Sequence, residues 1–215
     1  MPDASITRTY QIAAIPADGV GVEVVAAGRA VLDAIAAGSN GAFAFGWTEF
    51  PWGCGYYEKT GRMMDEDALE VLRHFDAIYF GAVGWPTVPD HISLWGLRLT
   101  IAQNFDQWAN VRPVHFHPGV LSPLRKVDNT RLDWVVVREN SEGEYAGLGG
   151  RNLAARGPGN EVAVQTALFT EKGCERIIRF AFDLARGRSV PKVSSVTKSN
   201  AQQYGMVLWL SLIHI

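Results

Sequence analysis

The apolar positions of this chain alternate between two periods. Tyr10 to Ile15 is a continuous apolar run of the kind that makes a buried strand, and the turn PADG leads from it into a helix over Val20 to Ala37. In that helix Val22, Val25, Ala26, Ala30 and Ala34 recur at helical spacing, and Gly38 supplies the stop. Phe43 to Phe50 alternates like a strand, and Asp65 to His74 reads as a short helix with acids in its first turn. Asp76 to Ala82 (DAIYFGA) is another buried strand, ending in the turn GAVGWP, and Ser93 to Asn104 is predicted helical. Strands are predicted over Ala109 to His117, Leu132 to Arg138 and Val162 to Phe169, with loops over 118–131 and 149–161. Thr170 then caps a helix to Arg186, with Ile177, Ala181 and Leu184 as its apolar stripe and Gly187 as its end. A last strand, Lys192 to Thr197, is expected to enter a helix near Ala201.

Strand and helix alternate over the first hundred residues, which predicts an α/β fold with a partly parallel sheet. The middle is richer in strand, so a second subdomain is expected to begin near residue 105. At 215 residues, 47% of them apolar, the chain can build one large core or two small ones. Its net charge of −2 offers no basic field, which argues against nucleic acid and membrane surfaces as partners. Cys54 and Cys174 stand far apart with no CxxC spacing, so they read as reduced thiols of a cytoplasmic protein. MPDASITRTYQ lacks the apolar region of a secretory leader, and the longest apolar run, Met206 to Ile215, is too short to span a bilayer.

Composition and period leave the chemistry open. IPADGVGVEV opens a helix with Gly19 and Gly21, but Val24 stands where a dinucleotide fingerprint needs its third glycine. GAVGWP follows a strand, and its glycines allow a ligand to approach the backbone, although on local evidence alone a tight turn is the better account. Arg98, Arg112 and Arg138 stand at or near element ends, where guanidinium groups converging on one spot would suit a di- or tricarboxylate. Pairing with surface acids is the plainer account of each. It is weakest for Arg138, which ends a fully apolar strand in VVVRENSEGEY. Tyr145 could donate a proton and a desolvated Lys198 could accept one. His115 and His117 have no acids nearby to complete a metal site, and the aromatic cluster FPWGCGYY (Phe50 to Tyr57) reads as core.

Six segments in order carry a resemblance: IPADGVGVEV, FGAVGWP, PDHISLWGLRL, FDQWANVRP, VVVRENSEGEYAG and VTKSNAQQYGM. Together they resemble the metal-dependent β-decarboxylating dehydrogenases, the isocitrate and isopropylmalate dehydrogenase family, in particular its tartrate/D-malate branch. The resemblance implies an α/β, isopropylmalate-dehydrogenase-like two-domain fold. Residues 1–104 would be the N-terminal part of the large cofactor-side domain and 105–209 part of the smaller, dimer-forming one. It further implies NAD-dependent oxidation of a small 2-hydroxy diacid such as tartrate or D-malate, with Mg or Mn, in a homodimer.

Residue by residue, the resemblance assigns binding of the substrate's α-carboxylate and hydroxyl end to Arg112 and Arg138 and protonation of the carbanion to Tyr145. Lys198 would assist proton removal in the partner's site, and Gly81, Ala82, Val83 and Gly84 would lie along the nicotinamide. Isopropylmalate-type relatives carry a further arginine where this chain has Ala102. Arg98, one helical turn earlier, could replace it, which favours the smaller diacid. Beyond GMVLW the chain runs into LSLIHI, and residues 210–215 are read as a tail outside the family pattern. The family's metal-binding aspartates have no counterpart here, so the fold is expected to be incomplete and the chain inactive by itself. Two other readings stand beside this one: a non-catalytic chain that pairs with a full-length subunit, and a fragment of isopropylmalate type. A plain carboxylate-binding domain using Arg112 and Arg138 is a third.

Overall fold

The computed structural model describes residues 7–122 and 132–214, and the chain divides into two units after Asn104. Most of the loop expected over 118–131, the first residues of the N-terminus and Ile215 lie outside the described residues.

In the first unit β1 (Thr9–Ala17), β2 (Ala44–Glu49) and β3 (Ala77–Ala82) form a parallel sheet in the order β2-β1-β3. Ile12, Ala13, Ala14 and Ile15 of the central strand are buried, as a strand covered on both faces requires. Helix α1 (Val20–Ala37) lies against the sheet, where Gly28 makes room for the Tyr79 hydroxyl: a Cβ there would sit 1.8 Å from it. From one flank of α1, Arg29 pairs with Glu49 at 2.9 Å and Asp33 accepts from the Trp47 indole at 2.8 Å, both on β2. On the opposite flank Val20, Val24, Val31 and Ile35, spaced four, seven and four residues apart, are exposed.

Two short helices follow β2. The segment read only as an aromatic cluster contains α2 (Cys54–Thr60), entered through Gly53, with Trp52 and Cys54 buried. The helix expected over Asp65 to His74 is confined to α3 (Ala68–Leu72). The Asp65 carboxylate is instead bonded to the Trp52 indole at 3.0 Å and to the Tyr56 hydroxyl. The helix expected from Ser93 begins earlier, as α4 (Asp90–Ser93), passes through a π-helical stretch (Leu94–Leu99) and ends as α5 (Thr100–Asn104). Gly96 packs on Met63 there, and Thr100 Oγ1 donates to Trp95 O at 2.5 Å, satisfying a carbonyl that the widened turn displaces.

The second unit holds two antiparallel pairs, β4 (Ala109–His115) with β5 (Asp133–Glu139) and β6 (Gly143–Asn152) with β7 (Val162–Leu168). Strand β6 occupies residues expected to begin a loop at 149. Helix α6 (Glu171–Arg186) buries Cys174, Ile177 and Ile178 against Trp108, Val137 and Phe169. Fully burying an isoleucine contributes about 1.5–3 kcal/mol, so this stripe anchors the unit. The strand expected over Lys192 to Thr197 is absent: among the described residues no strand pairs with it, and its residues are mostly exposed. The helix expected near Ala201 begins later, as α7 (Gly205–Leu212), because Gly205 is where the chain meets the Phe169 ring and a Cβ would stand 2.1 Å away. Leu212 and Ile213 of the 210–215 tail, with Trp209, rest on the α6 stripe.

Candidate active site

Strands β4 and β5 deliver the two arginines to one face. Asn110 lies opposite Arg138 in the ladder, and Arg112 is two residues further along β4, so all three side chains project to the same side. Amides join them. Arg112 Nε donates to Asn110 Oδ1 at 2.8 Å, Asn110 Nδ2 to Asn140 Oδ1 at 3.4 Å, and Arg138 Nη2 to the same Asn140 oxygen at 2.8 Å. Arg138 also lies over the Tyr145 ring, 5.0 Å from its centroid, with Nη1 reaching the phenolic oxygen at 3.5 Å. Arg112, Arg138 and Tyr145 thus belong to one polar network, with Asn110 and Asn140 as its joints. Sequence reasoning passed over both asparagines, although NVRP and REN set one beside each arginine.

The acids of RENSEGEY serve mostly as scaffold. Glu139 accepts from the Ser141 and Glu142 amides at 2.9 and 2.6 Å and pairs with Arg176 at 3.3 Å. Glu142 accepts from the Thr170 amide at 2.9 Å and its hydroxyl at 2.6 Å, while Thr170 Oγ1 caps α6 through Gly173 N. A Cβ on Gly173 would collide with the Glu142 carboxylate at 2.3 Å, so this turn and helix need glycine there. These bonds fix the turn between Arg138 and Tyr145.

In the first unit the GAVG turn is held by Asp18, a buried residue of PADG. Its Oδ2 accepts from Gly84 N at 3.0 Å and its Oδ1 from Cys54 N at 2.8 Å, while its own amide donates to Ala82 O at 2.6 Å. Gly81 is required inside the fold, since a Cβ would lie 2.2 Å from Pro16 O. Gly84, at φ +138°, has open space where its Cβ would be, so a ligand could approach the backbone there. Ala82 and Val83 are half-buried between them. Burial, reinforced by Asp18, pushes the Cys54 thiol up to about 12; burial and then Glu142 and Glu139 push Cys174 up to about 11.

Arg98 stands half-buried on the π-helical stretch of the first unit, whereas Arg112, Arg138 and Tyr145 belong to the second. Lys198 is exposed in the irregular segment before α7, and no hydrogen bond joins it to the arginine network. His115 and His117 stack edge-to-face at 5.3 Å. Among the described residues no three His, Cys, Asp or Glu side chains gather where they could hold a metal ion. No helix among them is long and apolar enough to cross a membrane.

Residues 11–214 match the family model described as isocitrate/isopropylmalate dehydrogenase, and the chain belongs to that family. It is 57% identical over 202 residues to a probable tartrate dehydrogenase/decarboxylase of Agrobacterium vitis, covering 94% of this chain and 56% of that protein. It is 48% identical over 204 residues to a D-malate dehydrogenase (decarboxylating) of Escherichia coli K12, covering 94% and 55%. Among solved structures, an isocitrate dehydrogenase from Methylococcus capsulatus superposes with a TM-score of 0.76 at 30% identity, over 95% of this chain and 56% of that one. The chain therefore spans little more than half the length of these relatives.

Proposed function

We propose that this chain carries the substrate-gripping part of a dehydrogenase that oxidises a small 2-hydroxy diacid, tartrate or D-malate, with NAD as acceptor. The observation that carries the reading is the joined network of Arg112, Arg138 and Tyr145. Two guanidinium groups on one strand face bind and orient two carboxylates, and a phenol beside them is placed to return a proton to carbon after loss of CO2. Relatives named for tartrate and D-malate favour the diacid. NAD, when bound, would supply the acceptor for a hydride from the hydroxyl-bearing carbon. Gly84 is the part of the GAVG turn open to its approach, with Gly81, Ala82 and Val83 shaping the strand end behind it.

The family's divalent metal, Mg or Mn, does not fit the described residues, which supply no ligand cluster. No step of this chain is therefore routed through it, and the chain by itself is expected to bind the diacid without turning it over. Lys198 is assigned to the site of a second subunit in a homodimer. The β6–β7 hairpin supports that pairing: Leu148, Val162, Val164 and Leu168 are exposed on it, and an isolated two-stranded hairpin is marginal in water. Calorimetric titration of the 215-residue chain with D-malate and with tartrate tests the reading. Binding that disappears in the double variant Arg112→Gln/Arg138→Gln is expected. Absence of binding by the unaltered chain, or binding that survives the double substitution, would sink it.

A further inference from the structure

We propose that Asn140 is a positioning residue that aims Arg138, and through Asn110 also Arg112, while leaving both guanidinium charges uncompensated for a dicarboxylate. The inference rests on the diacid reading of this site and adds what determines its charge preference. Asn140 is buried and fully engaged: its Oδ1 accepts from Arg138 and Asn110, its Nδ2 donates to Gln107 O at 3.0 Å, and its amide donates to Trp108 O at 2.8 Å. It therefore fixes the end of β5 to the segment entering β4 and presents one oxygen to two donors.

The contrast with the neighbouring Arg176 gives that oxygen its meaning. Arg176 is held by Asp106 at 3.0 Å and Glu139 at 3.3 Å, so its charge is satisfied within the fold. Arg8, Arg29, Arg62 and Arg151 likewise pair with carboxylates. Arg112 and Arg138 are instead oriented by neutral oxygens, those of Asn110, Asn140 and Tyr145, and neither meets a carboxylate among the described residues. A side-chain amide gives a guanidinium the directionality of a hydrogen bond without the opposite charge. An aspartate at either joint would accept the same N–H and cancel the charge a dianion needs.

Titration of the 215-residue chain with D-malate, for the unaltered protein, Asn140→Asp and Asn110→Asp, tests this. Asn110 is the less buried joint, so its variant guards against loss of fold. Each aspartate is expected to weaken D-malate binding by about tenfold or more, because it sets like charge against the ligand. Thermal unfolding of Asn110→Asp should stay at the unaltered midpoint. In parallel, phenylglyoxal modification followed by mass spectrometry should slow at Arg138 in Asn140→Asp and at Arg112 in Asn110→Asp, with Arg176 as internal reference. A purely structural amide would shift the midpoint without slowing one arginine selectively. Unaltered affinity together with unaltered arginine reactivity in both variants would overturn the proposal. If the unaltered chain binds no D-malate, the diacid reading fails, and the modification rates alone decide: selective slowing upholds the neutral joint and its absence overturns it.

Discussion

Arg138 is where side-chain geometry matters most. Its two terminal nitrogens are directed to different oxygens, and its ring contact with Tyr145 uses the flat guanidinium face. Lysine keeps the charge and loses both features. Arg138→Lys is thus expected to weaken D-malate binding roughly tenfold to a hundredfold with little change in unfolding midpoint, read by calorimetry beside thermal melting. Asp18 is the residue of greatest structural leverage in the first unit, since its carboxylate receives the Gly84 and Cys54 amides. Asp18→Ala leaves the buried Cys54 amide unpaired, at a cost of about 1–3 kcal/mol in urea unfolding, and releases the exposed Gly84 amide to water. The two thiols give a pH signature. Their values, raised to about 12 and about 11 in the fold, mean that the folded state holds these protons more tightly than the unfolded chain. The associated stability is full below pH 9 and is lost as pH climbs toward 11–12; a urea midpoint that rises over that range would contradict it. Arg138 and Tyr145 could be singled out in the sequence because an apolar strand ending in charge is unusual. Asp18 could not, because its partners stand 36 and 66 residues away. Asn140 stands two residues from Arg138 in REN, but its tie to Gln107, 33 residues away, is one that no local pattern reports.

At the scale of elements, the long periodic stretches were legible and the short or glycine-rich ones were not. Helix α1 runs from Val20 to Ala37 and α6 from its Thr170 cap to Arg186, where their end signals stood. Of the α1 stripe read at Val22, Val25, Ala26, Ala30 and Ala34, however, only Val25 is buried, because the helix turns Gly21, Val25 and Gly28 toward the sheet. Strand β6 was hidden because Gly143, Gly147, Gly149 and Gly150 break the alternation that marks a strand, and its pairing with β7 passes an irregularity between Gly143 and Leu148. Conversely, the β-branched run over Lys192 to Thr197 has strand propensity but finds no partner; Ser195 instead accepts from the Trp209 indole at 2.8 Å. The exposed face of the β6–β7 hairpin carries a prediction of its own. Val164, at 58% exposure, makes little contact within one chain, so Val164→Lys should leave the unfolding midpoint nearly unchanged. It is expected to shift sedimentation from dimer to monomer; a chain whose association state ignores the substitution would remove this hairpin from the dimer face.

For the whole molecule, what matters is how much apolar surface the two units leave uncovered. Among the described residues no strand pairs with the outer edge of β2 or of β3, and the exposed stripe on α1 lies on the flank away from β2, on the side where β3 forms an edge. That the first unit pairs strands in parallel and that α1 spans Val20 to Ala37 were readable in the sequence; the order β2-β1-β3 was not. The width of the apolar face was also visible, in valines scattered around α1, but which part the sheet would leave bare depends on how the helix is rolled, and that is set by Gly28 against Tyr79. An open parallel edge beside an apolar helix flank is a template for self-association. The 215-residue chain is therefore expected to form large, concentration-dependent assemblies on light scattering, beyond any dimer made by the hairpin. Val24→Glu/Val31→Glu places charge on the flank at positions already 48% and 59% exposed, where substitution changes stability by only about 0.5 kcal/mol. That variant should lose the large assemblies and keep the dimer, whereas Val164→Lys should keep the assemblies and lose the dimer. If the α1 substitutions leave the assemblies intact, the bare flank is not what joins the chains, and the sheet edges alone carry the association.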